Sequence, residues 1–129
     1  MITVNNKKEL KRLIYQRTVE QGLNCNLNDI DVSKIDDMSF LFTDSKFNGD
    51  ISSWDVSKVK DMSFMFEGSN FNGDISSWNV SSVTNMSYMF SWSKFNGDIS
   101  SWDVSNVEDM RCIFINSPLS GNKPKWYRP

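Results

Sequence analysis

A 24-residue sequence repeat constrains what this chain can fold into more than any other feature. The octapeptide Phe-Asn-Gly-Asp-Ile-Ser-Ser-Trp occurs at residues 47–54, 71–78 and 95–102. Residues 47–70 and 71–94 are identical at 16 of 24 positions, and a more divergent copy begins in phase at Leu23. Self-similarity at a fixed period of this length indicates stacked copies of one structural unit.

The repeat places apolar residues in fixed columns. One column holds Ile30, Trp54, Trp78 and Trp102, and another holds Phe42, Phe66, Phe90 and Phe114. A single 24-residue unit cannot bury all of its apolar positions by itself, whereas stacked units bury them against one another. The columns therefore predict a continuous core that runs through all the copies.

Within each unit the spacing Ile-x-x-Trp-x-Val matches the strand pattern of leucine-rich repeats. The sequence therefore predicts a leucine-rich-repeat-like solenoid with one short parallel β-strand per 24-residue coil. The strands are expected at 53–57, 77–81 and 101–105, with Trp and Val pointing inward. Residues 61–66 fit either a single helical turn or a β-arc.

The ends of the chain carry capping signals. Asn6 followed by Glu9 resembles a capping box, and Gly22 is a helix stop, so residues 1–22 are predicted to form an N-terminal α-helical cap. Four repeats follow, and a C-terminal cap completes the chain. The predicted repeats are 23–46, 47–70, 71–94 and 95–118, and the predicted C-terminal cap is 119–129.

The residue inventory argues against catalysis. The chain has no His, so Ser–His and Cys–His pairs are excluded, and it has no glycine-rich phosphate loop and no Cys-x-x-Cys. We expect no enzyme activity, no cofactor and no metal. Asn26 and Asp50 begin a polar turn column for which calcium is a weaker alternative to turn capping. Cys25 and Cys112 fall in different copies and are expected to be free thiols.

Charge and hydropathy restrict the partners. Residues 1–22 carry five basic and two acidic side chains (+3), and the net charge is −2, so the remainder sums to −5. An acidic body disfavours nucleic acid. No apolar run approaches the ~20 residues needed to span a bilayer. Because capped ends prevent end-to-end growth, we expect a monomer.

An outward-facing polar column on the predicted strands is the first candidate binding surface. Its residues are Asp31, Asp55, Asn79 and Asp103, flanked by Ser57, Ser81 and Ser105. The column fits either a solubilising face or a surface that contacts a partner.

Trp92 is the second candidate. It occupies a position held elsewhere by Asp44, Gly68 and Asn116, so we expect it to be exposed, either as an interface anchor or packed on Lys94. Tyr88, by contrast, replaces Phe at its position and is predicted to be a core residue.

The unit Phe-Asn-Gly-Asp-Ile-Ser-Ser-Trp-Asp-Val-Ser-x-Val-x-Asp-Met-Ser-x-Met-Phe resembles the BspA-type leucine-rich-repeat family over residues 23–118. The resemblance implies a leucine-rich-repeat-like solenoid of cell-surface or secreted proteins, with roles in adhesion and host contact. Residues 1–6 lack the apolar segment of a secretion signal, so a cytoplasmic location is the alternative.

Together these features predict a non-catalytic binding module that presents its polar strand face to a protein or a glycan. The alternatives are a structural spacer or assembly unit, and an intracellular protein-binding effector.

Overall fold

The computed structural model describes residues 1–129. Its regular elements are strand β1 (Ile2–Thr3), helix α1 (Lys7–Gln21), strand β2 (Ile30–Asp31) and a 3-10 helix at Pro118–Gly121. Strands β1 and β2 pair in parallel, with Ile2 opposite Ile30 and Thr3 opposite Asp31. Most of the remaining chain consists of turns and unclassified backbone.

The predicted fold class, a leucine-rich-repeat-like solenoid with a strand in every 24-residue coil, is wrong. The structure is a small domain with one α-helix and a two-stranded parallel sheet. Residues 53–57, 77–81 and 101–105 contain no strand. The descriptions of the chain as a solenoid and as a tandem structural repeat depend on that prediction and are therefore also wrong.

Closely spaced turns explain why these strands do not form. Trp54 N–H donates to the carbonyl of Ile51 at 3.2 Å, and Val59 N–H donates to that of Val56 at 3.0 Å. Between these turns the side chain of Asp55 accepts the N–H of Ser57 at 3.0 Å. An extended strand needs a run of backbone whose hydrogen bonds all point to a neighbouring strand. Here the local turns use those groups instead.

The 24-residue period of the sequence nevertheless sets which residues touch. Isolated parallel bridges join Asp37 to Asp61, Asp61 to Asn85, and Asn85 to Asp109. Between the bridges, alternate backbone N–H groups donate to carbonyls of the next 24-residue period, as Met62 N–H does to Asn85 O at 2.9 Å. Equivalent positions therefore lie beside one another without forming a continuous sheet.

One hydrophobic cluster of 36 buried residues forms the core. Rings from equivalent positions stack in it: the centroids of Phe66 and Phe90 are 5.6 Å apart, and those of Trp54 and Trp78 are 6.5 Å apart. The Trp78 indole N–H also donates to Ile51 O at 3.0 Å. The core columns inferred from the sequence are thus mostly buried, but Leu23, at the position equivalent to buried Phe47, is 47% exposed.

Helix α1 covers one end of this core, at the position where a helix was predicted. The side chain of Asn6 accepts the N–H of Glu9 at 2.9 Å, and the helix ends before Gly22, whose φ is +95°. Leu10 and Ile14 are the buried residues of α1. None of the helices has both the length and the apolar character needed to cross a bilayer.

Two ion pairs connect α1 to the segment that follows it. Lys7 Nζ lies 3.1 Å from Asp37 Oδ2 and also donates to the carbonyl of Ser39. Arg17 and Asp29 form a bidentate pair with distances of 2.9 and 2.6 Å.

The division into 1–22, four repeats and 119–129 remains a prediction, since hydrogen bonds between equivalent positions do not define domain boundaries. Both cysteines are free.

We predict that Trp78→Ala lowers the free energy of unfolding by about 3–5 kcal/mol, because it removes a buried ring and leaves a cavity. Trp78 is 4% exposed and stacks on Trp54. Urea denaturation measures the change, with exposed Ser77→Ala as the control. A loss below about 1 kcal/mol would contradict the stacked core.

Candidate functional site

The predicted polar column lies at the surface, but its side chains are engaged in local turns. Asp55 Oδ1 accepts the hydroxyl of Ser57 at 2.6 Å and its N–H at 3.0 Å. The same pattern, with the backbone N–H of the residue two positions later, recurs along the column. The other pairs are Asp31 with Ser33, Asn79 with Ser81, and Asp103 with Ser105.

These hydrogen bonds favour the charged carboxylate. The hydroxyl of Ser57, followed by its N–H, lowers the pKa of Asp55, and Ser105 lowers the pKa of Asp103 in the same way. The charge of Asp31 opposes the shift at Asp55, as expected for neighbouring carboxylates. The turns thus hold acidic groups in the ionised state although like charges lie nearby.

The polar column therefore stabilises local turns, a structural role that was not predicted from the sequence. An Asp or Asn side chain that accepts an N–H two residues later stabilises a turn. The second predicted polar column behaves alike, since Asp50 accepts from Ser52 and Asp74 accepts from Ser76. The role of these residues in partner binding remains a prediction.

A different surface feature stands out, a row of three aromatic side chains that we call the aromatic row: Phe40, Phe64 and Tyr88. Successive ring centroids are 4.7 Å apart with planes 5° from parallel. Phe40 is 48% exposed and Tyr88 is 36% exposed, while Phe64 between them is half-buried. The prediction that this position belongs to the core is wrong.

The backbone of the aromatic row is unusual. Phe40, Phe64 and Tyr88 have φ values of 62°, 58° and 57°, in the left-handed region. For bulky residues this conformation is rare and costs roughly 1–2 kcal/mol each. The backbone also explains the exposure, because residues 61–66 form turns rather than the helical turn or β-arc expected, and the left-handed residue turns its ring away from the core.

Backbone hydrogen bonds hold the aromatic row in this conformation. Phe40 N–H donates to Ser63 O at 3.1 Å, Phe64 N–H to Ser87 O at 3.0 Å, and Tyr88 N–H to Arg111 O at 3.0 Å. Each bond joins one period of the sequence to the next. The stacked contacts therefore keep the rings in place despite the cost of the local conformation.

Trp92 lies four residues after Tyr88 and is 66% exposed, as its position in the sequence predicts. Its φ is 57°, and its N–H donates to Ile115 O at 2.9 Å. Equivalent positions hold Asp44, Gly68 and Asn116, which are residue types that adopt a left-handed conformation more readily than Trp. Trp92 is thus the most demanding residue for this backbone, and its indole still faces solvent.

Further exposed groups continue this surface in the last period. Ile115, whose carbonyl accepts from Trp92, is 45% exposed. Cys112 occupies the position equivalent to Tyr88 in the last period, and it is an exposed free thiol. The neighbouring Cys112 thiol raises the pKa of the Tyr88 hydroxyl. Exposed aromatic and apolar side chains are therefore part of this surface.

The sequence contained a signal for this surface that the column analysis missed. In Met62-Ser63-Phe64-Met65-Phe66 the buried apolar positions are Met62, Met65 and Phe66, and Phe64 breaks their spacing. Apolar periodicity alone groups Phe64 with the core. It does not reveal a ring on left-handed backbone, because that conformation depends on hydrogen bonds to the next period.

We predict that the protein loses stability as the pH falls from about 5 toward 2. Asp50, Asp55 and Asp74 have folded-state pKa values below their ordinary range because of hydrogen bonds from serines. Depressed carboxylate pKa values stabilise the fold above the unfolded-state value of ~3.9, and that contribution is lost as the pH falls through the folded-state value. Thermal melts across this range measure the effect.

A matched variant identifies the groups responsible for this acid dependence. Asp74→Asn keeps an acceptor for Ser76 N–H, as Asn26 does for Asn28 N–H at 2.8 Å in the equivalent position. It removes one titrating group, so its melting temperature should vary less with pH. A melting temperature that stays constant from pH 5 to 2.5 in the parent protein would contradict the prediction.

Comparison with known families places the chain in one of them. A family model described as "Mycoplasma protein of unknown function, DUF285" matches residues 8–126, and the chain therefore belongs to this family. Neither a curated protein nor a solved structure matches it significantly.

Proposed function

We propose that this member of the DUF285 family is a non-catalytic binding module that contacts a protein partner through the aromatic row and Trp92. The observation that carries the proposal is the exposure of bulky side chains on left-handed backbone, with Trp92 66% exposed at a φ of 57°. Strain of this kind concentrates at functional sites. Exposed aromatic residues are also frequent anchors of protein interfaces.

The alternative explanation, that these rings stabilise the fold, accounts poorly for them. Core rings such as Phe66 are fully buried, and the free energy of that burial offsets the conformational entropy lost when the ring is ordered. Tyr88 and Trp92 leave much of their surface in water and still adopt an unfavourable conformation. A binding partner that covers them supplies the apolar burial that the isolated chain lacks.

Ring orientation favours a protein over a glycan. Sugars stack on the open faces of aromatic rings, but each face of Phe64 is covered by a neighbouring ring at 4.7 Å. The row therefore presents ring edges, which suit the side chains of a protein interface. Trp92, four residues after Tyr88 in the chain, adds a larger aromatic anchor.

The repeat sequence supports the same class of function. The octapeptide resembles that of BspA-type proteins, for which the resemblance implies adhesion and host contact. A contact role at the cell surface is therefore part of this proposal, with an intracellular protein partner as its variant. A spacer or assembly unit is less well supported, because α1 covers one end of the core.

We predict that Tyr88→Asn with Trp92→Asn reduces partner retention at least about tenfold, as expected for loss of two aromatic anchors. Asn tolerates left-handed backbone, and Asn116 already adopts it at φ 53°. The double variant should therefore keep its fold. The measurement is retention of cross-linked partners from lysate of the source organism and from host-cell surfaces.

Asp74→Asn is the control, because Asn26 shows that this position accepts Asn in the same kind of turn. It should retain the partner at the parental level. Equal retention by the double variant would remove the aromatic row from the contact surface. Self-association with no captured partner would favour the assembly role.

A further inference from the structure

A second surface lies on helix α1 beside its buried residues. Leu10 and Ile14 face the core, whereas Tyr15 is 73% exposed and Val19 is 67% exposed. Tyr15 and Val19 are four residues apart and share one stripe of the helix. Leu23, just beyond the helix, is also 47% exposed.

The same stripe carries unpaired positive charge. Lys8 and Arg12 precede Tyr15 and Val19 at helical spacing, and Lys11 lies four residues before Tyr15. All three basic side chains are exposed. The ion pairs of the structure involve Lys7, Arg17 and Arg111, so Lys8, Lys11 and Arg12 have no carboxylate within 4.0 Å. We call the set of Lys8, Lys11, Arg12, Tyr15 and Val19 the α1 stripe.

A hollow beside the stripe offers a place for an apolar side chain. It has a volume of about 170 Å³ between α1 and the segments that follow. Its lining includes Lys11, Ile14, Tyr15, Leu23 and Leu41. Lys11 and Tyr15 belong to both the hollow and the stripe, which makes a single surface with an apolar recess and a basic rim.

We propose that this surface binds an acidic peptide segment of a partner protein, with an apolar side chain of the segment in the hollow. Charge complementarity identifies the occupant. The three free cations lie on the stripe, and the two carboxylates that contact α1, Asp29 and Asp37, are already paired with Arg17 and Lys7. An acidic segment therefore supplies the counter-charges that the chain itself does not provide.

Two other partners of basic helices fit the surface less well. A helix that binds a membrane surface needs a broad exposed apolar face, but the apolar side of α1 at Leu10 and Ile14 is buried in the core. Nucleic acid has no apolar side chain to place in the hollow. The recess suits a side chain better than a phosphate backbone.

The experiment selects from a phage-displayed library of random twelve-residue peptides on the immobilised protein. Enriched peptides should combine Asp or Glu with an apolar residue. Their synthetic versions, measured by fluorescence polarisation, should bind the Lys8→Glu, Lys11→Glu, Arg12→Glu variant at least about tenfold more weakly. Binding to the parent protein should also weaken as the salt concentration rises.

The control variant reverses the same number of charges away from α1, with Lys60→Glu, Lys94→Glu and Lys125→Glu. It should bind the selected peptides like the parent. Tyr15→Ser should weaken binding at unchanged net charge, and circular dichroism checks that each variant keeps its fold. The Tyr88→Asn, Trp92→Asn variant should bind normally, which separates this surface from the aromatic row.

Three outcomes would overturn the proposal. One is a selection without enrichment of acidic peptides, and another is equal loss of affinity in the control variant. The third is binding to phosphatidylserine vesicles that depends on Lys8, Lys11 and Arg12 while no acidic peptide binds. That last result would assign the stripe to a lipid surface instead.

Discussion

The structure depends on contacts between successive 24-residue periods of the sequence. The indole N–H of each Trp in the octapeptide donates to a carbonyl 27 residues earlier, as Trp54 does to Leu27 O at 3.0 Å and Trp102 to Ile75 O at 3.1 Å. Trp54 also stacks on Trp78, and Trp102 stacks on Trp126. One residue type thus satisfies a buried polar group and fills the core. Trp126, outside the octapeptide, repeats the bond to Ile99 O at 2.8 Å and closes the core.

This dependence separates two classes of surface residue. The Asp and Asn side chains that precede a Ser by two positions stabilise the turns between core positions. The hydrogen bonds of these turns also keep the Asp carboxylates ionised. The aromatic row has no such role, because its rings lie outside the core and their backbone is strained. The same inter-period hydrogen bonds that organise the core hold this strain, so the fold stabilises a surface that local preferences oppose.

The sequence predicted the core, the helix and the exposure of Trp92 correctly, because each rests on apolar periodicity, local capping or a departure from the period. It failed at the strands, since Ile-x-x-Trp-x-Val fits a strand as well as a series of turns. The difference lies in hydrogen bonds such as Ser57 N–H to Asp55, which an apolar pattern does not reveal. It failed again at Phe40, Phe64 and Tyr88, where a left-handed φ reverses the direction of an apolar side chain.

The most direct test of the account is the free energy of unfolding of Trp92→Gly. Gly68 occupies the equivalent position with a φ of 66°, so glycine fits this backbone without strain. If Trp92 is retained for contact with a partner, the variant should unfold at the same or higher urea concentration than the parent. A loss of more than about 1 kcal/mol would show that the indole stabilises the isolated chain, and the central claim would fail.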